Sequence, residues 1–130
     1  MIWWKLDDGE GATQATQCAL EMLQEIPLIS SSMEKQGLPV LRRIGIGIAA
    51  GEAIVGNIGH SKRRDFTCIG DTVNTASRLE SLSKDLGTDL IIGKSVYDLL
   101  PTTIQDHFSN PQTAPVKGRV QEVEIYLHKP

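Results

Sequence analysis

The chain has 130 residues, enough for one domain with a modest core and too few for two. Apolar residues make up 40% and the net charge is −3, an ordinary soluble globular balance that excludes binding to nucleic acid through a broad basic surface. Two cysteines, Cys18 and Cys68, are too few for a disulfide framework; in apolar surroundings they read as free thiols of a reducing, cytoplasmic compartment. No run of about 18 apolar residues could span a membrane, and the opening Met1-Ile-Trp-Trp is too short for a signal peptide.

Ile2–Leu6 has the composition of the end of a strand. From Ala12 to Lys35 the period is helical, and Cys18, Met22, Ile26, Ile29 and Met33 draw one apolar stripe. Pro27 lies inside that stripe. It removes a donor and crowds the carbonyl of Leu23, so a kink, or two helices meeting near Glu25–Pro27, is expected. Gly37-Leu-Pro39 closes the segment. Val40–Ile48 and Glu52–Ile58 read as strands, with Ala50-Gly51 as a tight turn between them. Gly59–Gly70 reads mainly as a basic loop with a short strand at Phe66–Ile69. A helix then runs from an N-cap at Asp71 or Thr72 to about Asp85, with Gly87 as its stop. Its 3.6-residue period puts Val73, Ala76, Leu79, Leu82 and Leu86 on one half of the cylinder, and Asn74, Ser77, Arg78 and Ser81 on the other. Asp89–Ile92 predicts a strand, Lys94–Leu100 a short helix, Thr103–His107 a strand, and Val116–Leu127 a strand or hairpin broken at Gly118-Arg119.

Three familiar signatures fail on their context. Gly45-Ile-Gly47 lacks the third glycine and the helix of a dinucleotide fingerprint. Gly93-Lys94-Ser95 ends like a phosphate loop, but Leu90-Ile-Ile92 before it is strand, unable to turn its amides toward a phosphate. His60, His107 and His128 have no metal-ligand spacing. The pair Asn74 and Arg78 is different. The two are four apart at the start of a helix, where backbone donors and the helix dipole favour anions. The basic run Lys62-Arg63-Arg64 precedes them, and Gly59 and Gly70 flank the approach. Together these suit a phosphate-bearing ligand.

Three segments resemble one family: Gly51-Glu-Ala-Ile-Val-Gly-Asn-Ile-Gly59, the run Arg64-Asp-Phe-Thr-Cys-Ile-Gly-Asp-Thr-Val-Asn-Thr-Ala-Ser-Arg-Leu-Glu-Ser81, and Val116-Lys-Gly-Arg119. They resemble the class III nucleotidyl cyclases, the adenylate and guanylate cyclase catalytic domains, from about Ala12 to the C-terminus. The resemblance implies an α/β (α+β) ferredoxin-like cyclase fold working as an antiparallel dimer, homodimeric or paired with a complete cyclase subunit. In this family two Mg or Mn ions on two aspartates activate the ribose 3′-hydroxyl of ATP or GTP, and pyrophosphate leaves. By position, Asn74 corresponds to the asparagine that orients the ribose and Arg78 to the arginine that stabilises charge on the α-phosphate. Thr67 falls at the base-selecting position, where threonine or aspartate reads adenine in bacterial-type adenylate cyclases. Lys117 corresponds to a lysine that contacts the terminal phosphates, with Arg63 or Arg64 in a similar role.

The same resemblance implies a departure. The family's metal aspartates and its purine-reading lysine lie before the long helix, on a first strand and a following hairpin. Met1–Trp4 corresponds to about the last strand of that hairpin, so Asp7 and Asp8 come too late to be those aspartates, and Lys5 too late to be that lysine. Residues 1–130 are therefore expected to form a single partial domain, truncated at its N-terminus. It would carry no metal ligands and would make no cyclic AMP by itself. The alternative is a non-catalytic cyclase-like module for dimerisation or regulation. A ferredoxin-like RNA-binding domain fits less well, because two Phe and two Tyr offer few stacking surfaces and the charge is negative.

Overall fold

A computed structural model describes residues 1–6, 9–115 and 122–130. The element order is α1 (Glu10–Lys35), β1 (Ile46–Ile48), β2 (Ile54–His60), β3 (Arg63–Ile69), α2 (Asp71–Asp85), β4 (Leu90–Gly93), α3 (Lys94–Tyr97), α4 (Thr102–Gln105), β5 (Gln112–Ala114) and β6 (Val123–Leu127). Four strands form a mixed sheet in the order β1-β4-β6-β5, and β2 and β3 form a separate two-stranded sheet. Within the larger sheet β1 runs parallel to β4, while β6 runs antiparallel to both β4 and β5. This is the α/β architecture the sequence predicts. Among the described residues no helix is long and apolar enough to cross a membrane.

The sheet is covered on both faces, and β4 shows why. Leu90, Ile91 and Ile92 are all fully buried, an unbroken apolar run of the kind a two-sided sheet demands. Successive side chains point to opposite faces. Leu90 and Ile92 join Ala12, Ala19, Val96, Ile104, Phe108 and Tyr126 in one core cluster. Ile91 joins Leu79, Ala114 and Ile125 in the other. The first face is thus closed by the front of α1 with α3 and α4, and the second by α2. Gly47 lets α2 lie directly on β1: a Cβ there would stand 2.2 Å from the carbonyl oxygen of Ala76.

Several sequence expectations shift. Ile2–Leu6 has no strand pairing and instead crosses α1, where a Cβ on Gly11 would meet the Lys5 carbonyl oxygen at 1.9 Å. α1 runs through Pro27 as one 26-residue helix. Pro27 is exposed, so water can satisfy the carbonyl that loses its donor. The stripe from Cys18 to Met33 is not the buried face. Gly11, Ala12, Ala15, Thr16 and Ala19 are buried instead, because small residues allow the closest approach to the sheet. Residues 103–107, expected to be a strand, include most of α4, whose first turn is held by the Pro101 carbonyl accepting from the amides of Ile104 and Gln105. Val116–Gln121, where the hairpin at Gly118-Arg119 was expected, lies outside the described residues; Val123–Leu127 of that span is β6, and the short β5 was not foreseen.

The largest revision concerns residues 46–69. β1 and β2 do not pair with each other across Ala50-Gly51: β1 pairs with β4, and β2 with β3. The expected basic loop is mostly strand. β3 begins at Arg63, and the pairing His60↔Arg63 leaves Ser61 and Lys62 as a two-residue turn.

Candidate active site

α2 and the β2–β3 hairpin carry the residues singled out above. Gly70 joins them with φ 145° and ψ 175°, a backbone region open essentially to glycine alone. It occupies the N-cap position, expected at Asp71 or Thr72, and no side chain caps the helix. The Thr72 hydroxyl instead donates to the Glu52 carbonyl at 2.7 Å, and Thr75 Oγ1 donates back to the Asp71 carbonyl at 2.9 Å. The Asn74 amide donates to the Gly70 carbonyl at 3.1 Å and closes the first turn. At the other end Gly87, with φ +67°, stops the helix as the sequence predicts: the Thr88 amide donates to the Ser83 carbonyl at 3.0 Å and the Gly87 amide to the Lys84 carbonyl at 3.4 Å.

α2 presents three stripes, at spacings of roughly 100° per residue. Thr75, Leu79 and Ser83 are buried, and Leu79 and Leu82 pack into the second core cluster. Val73, Ala76, Ser77 and Glu80 line an apolar groove. Asn74 and Arg78 occupy the third stripe. The two-sided helix of the sequence reading is therefore divided further, since Val73, Ala76 and Ser77 share the groove and Leu86 is 41% exposed. Asn74 is exposed and Arg78 half-buried. Neither side chain makes a hydrogen bond or ion pair with any described residue. Arg78 thus offers a guanidinium fork, already partly withdrawn from water, with its donors uncommitted.

Thr67 lies on β3, opposite Gly56, and is half-buried. Strand alternation gives it the hairpin face shared with Arg63, Ile54 and Ile69. Arg64, Phe66 and Cys68 point to the other face, where Cys68 is buried and lines the groove. Thr67 stands four residues before the first residue of α2, so Thr67, Asn74 and Arg78 lie on adjoining elements on either side of Gly70. Arg63 and Arg64 are farther from it. They sit at the turn end of β3, roughly 20 Å of extended strand from the helix. Lys117 lies outside the described residues.

The groove encloses about 920 Å³ between the N-terminal segment, α1, β1 and the hairpin, with Trp4, Ala15, Ile46, Ile48, Val55 and Cys68 in its wall. Among the described residues its charged lining is Lys5 and Glu80, a poor match to a triphosphate, and Thr67, Asn74 and Arg78 are not in its wall. No group of three or more His, Cys, Asp or Glu able to hold a metal ion occurs among the described residues. The histidines form no such group either; His107 and His128 stack with ring centroids 6.5 Å apart, beside Phe108.

The sequence reading missed Thr72. Its hydroxyl looked like a helix cap, and nothing local indicates that it would reach a carbonyl 20 residues back in the chain.

Comparison with known proteins agrees with this fold. Residues 2–129 match the family model described as the adenylate and guanylate cyclase catalytic domain. Adenylate cyclase 1 of Rhizobium meliloti (strain 1021) is 36% identical over 119 residues, covering 92% of this chain and 17% of that protein. The crystal structure of the adenylyl cyclase CyaB from P. aeruginosa superposes with a TM-score of 0.74 at 29% identity, over 94% of this chain and 60% of that one. The crystal structure of the guanylyl cyclase Cya2 superposes with a TM-score of 0.76 at 28% identity, over 93% of this chain and 59% of that one. The chain thus spans about a sixth of the length of the curated relative it matches.

Proposed function

The chain belongs to the adenylate and guanylate cyclase catalytic domain family, and on that premise we propose that it supplies the base-recognition and transition-state half of a site that converts ATP to cyclic AMP and pyrophosphate. The observation that carries this reading is the pair Asn74 and Arg78, one helical turn apart on a stripe of α2 that faces neither the core nor the groove, with Thr67 on the adjoining strand. In the reaction the ribose 3′-oxygen forms a bond to the α-phosphorus while the bond to the β-phosphate oxygen breaks. Asn74 orients the ribose by hydrogen bonding. Arg78 holds negative charge on the equatorial oxygens of the α-phosphoryl group, and fixed charge at that position is a large catalytic term. The Thr67 hydroxyl, which both donates and accepts, reads the adenine edge.

Lys117 is assigned to the terminal phosphates by its place in Val116-Lys-Gly-Arg119. Arg63 and Arg64 would meet phosphate across a dimer rather than within one chain, given their place at the hairpin tip. Mg or Mn ions would supply the charge that activates the 3′-hydroxyl. In this reading their ligands come from the partner subunit of a homodimer or heterodimer.

Complementation tests this directly. A cyclase catalytic domain that keeps its metal carboxylates but lacks its own arginine at the Arg78 position is mixed with this chain, and cyclic AMP is measured in the presence of Mg or Mn. The chain should restore turnover, its Arg78→Ala variant should not, and the chain alone should form no cyclic AMP. Absence of rescue together with absence of ATP binding rejects the reading. Metal-dependent turnover by the chain alone rejects the half-site assignment.

A second reading, a regulatory dimerisation module, draws on a different observation. Ile54 is 67% exposed, Phe66 65% and Ile69 45%, so the hairpin shows apolar side chains on both faces, as a surface made to be covered does. If the chain binds a complete cyclase subunit while Arg78→Ala leaves the pair's turnover unchanged, this second reading is the correct one.

A further inference from the structure

We propose that Thr72 is a positioning residue that sets the distance between the base-reading strand and the ribose- and phosphate-reading helix, and thereby the choice between adenine and guanine. The inference rests on the functional reading above.

The two halves of the candidate site belong to different units. Thr67 is on a two-stranded ribbon outside the four-stranded sheet, and Asn74 and Arg78 are on a helix packed into the core. A free two-stranded ribbon is marginal in water, so its angle must be set where it meets the body. It meets the body at Glu52–Ala53 and Ile69–Gly70, with Val55 and the buried Cys68 turned toward the groove beside them. There the Thr72 hydroxyl, from the first turn of α2, donates to the Glu52 carbonyl at 2.7 Å. Gly51 is shaped around this contact, because a Cβ on it would fall 2.6 Å from Thr72 Oγ1. Gly70 packs against the same segment, with its Cβ position 3.5 Å from the Glu52 carbonyl oxygen. One side-chain hydrogen bond thus ties the segment leading into β2 to the first turn of α2.

The lever arm makes the tie consequential. Thr67 stands three residues from Gly70, roughly 10 Å along an extended strand, so a tilt of about 6° at the base moves Thr67 by about 1 Å. Displacements of that size commonly change rate or selectivity by one to two orders of magnitude. Asn74 and Arg78 would stay in place, since α2 is held by Leu79 and Leu82 in the core. The expected signature is therefore a loss of base choice with phosphate binding retained.

The test uses the full chain with 2′/3′-mant-ATP, mant-GTP and inorganic tripolyphosphate as probes. Thr72→Val keeps the branched shape and removes the donor. It should lower the ATP-over-GTP preference by about tenfold, leave tripolyphosphate affinity within about twofold, and leave the unfolding midpoint nearly unchanged, because the Glu52 carbonyl is exposed and can turn to water. Thr72→Ser should restore the preference. Gly51→Ala, which crowds the hydroxyl from the opposite side, should reproduce the Thr72→Val result. An unchanged preference in Thr72→Val, an equal loss in Thr72→Ser, or a parallel loss of tripolyphosphate binding overturns the positioning role. Absence of nucleotide binding by the unaltered chain, together with absence of rescue in the complementation assay, overturns the functional reading itself, a result separable from the others.

Discussion

β4 and β3 have similar raw material and opposite fates. In β4 Leu90, Ile91 and Ile92 are 0% exposed, whereas Phe66 of β3 is 65% exposed and Ile54, at the base of the hairpin, 67%. Apolar side chains in a strand therefore do not by themselves identify a core. What separates the two is cover. β4 has strands on both sides and helices on both faces, while the hairpin has one neighbour strand and one face partly closed by the groove. The central sheet holds the core, while the hairpin leaves Ile54, Phe66 and Ile69 exposed. The candidate site lies on the seam between them, with Asn74 and Arg78 on the core-anchored side and Thr67 on the exposed side.

The contrast can be broken most sharply in the core. Ile91→Ala leaves a cavity between β4, α2 and β6 and should cost about 2–5 kcal/mol, read as a shift in urea midpoint with unchanged slope. Arg78→Ala should lower turnover of the complemented enzyme by about 10²–10³-fold, worth about 3–4 kcal/mol of barrier, without moving the unfolding midpoint, because no described residue depends on its side chain. A fall in stability comparable to that of Ile91→Ala would instead place Arg78 with the core. Phe66→Ala should change the stability of the free chain by no more than about 0.5 kcal/mol, since its ring is already in water. A cost above about 2 kcal/mol would show that the hairpin is covered in the free chain. The smallest effect is expected from His128. Its pKa is pushed below the ordinary value of 6.5, first by burial and then by the nearby His107. The unfolded chain therefore binds this proton first, so the contribution is intact above about pH 6.5 and declines as the pH falls from there toward the lowered folded value. His128→Gln should flatten stability over that acidic window in pH-dependent melts.

α2 was the most legible element, because everything that defines it is local. The run from Asp71 to Asp85, the glycine stop at Gly87 and the shared face of Asn74 and Arg78 all follow from period and capping chemistry within one helix. Pairing was not legible. The alternation of Ile44, Ile46 and Ile48 announces a strand, yet its partner is 44 residues away at Leu90, and only the closing of the core selects it. The basic segment from His60 to Arg64 looked like a loop because glycines and cations have low strand propensity, but the cross-strand ladder from Ile54↔Ile69 to His60↔Arg63 overrides that preference. Thr103 and Ile104 misled in the opposite direction: β-branched residues suggested a strand where Pro101 begins a helical turn. In the site, the types and spacing of Asn74 and Arg78 were readable, whereas the Thr72 tie and the separation of Arg63 and Arg64 from the helix depend on the hairpin's length and direction.

The parallel pairing of β1 with β4 also has a consequence for the order in which the chain assembles. β2 and β3 are joined by a two-residue turn and can zip within about 1–10 μs. Every ladder to β4 has to close a far longer loop: Ile46 waits for Leu90, and Ile91 waits for Leu127. The whole hairpin and α2 lie inside the first of those loops, so they are in a position to form before the central sheet can shut. The ribbon that buries least is then the earliest to take shape, and the strand that buries most is among the last to find its neighbours. Slow steps in refolding should respond to changes in β1, β4 and β6, and hardly at all to changes at the hairpin tip.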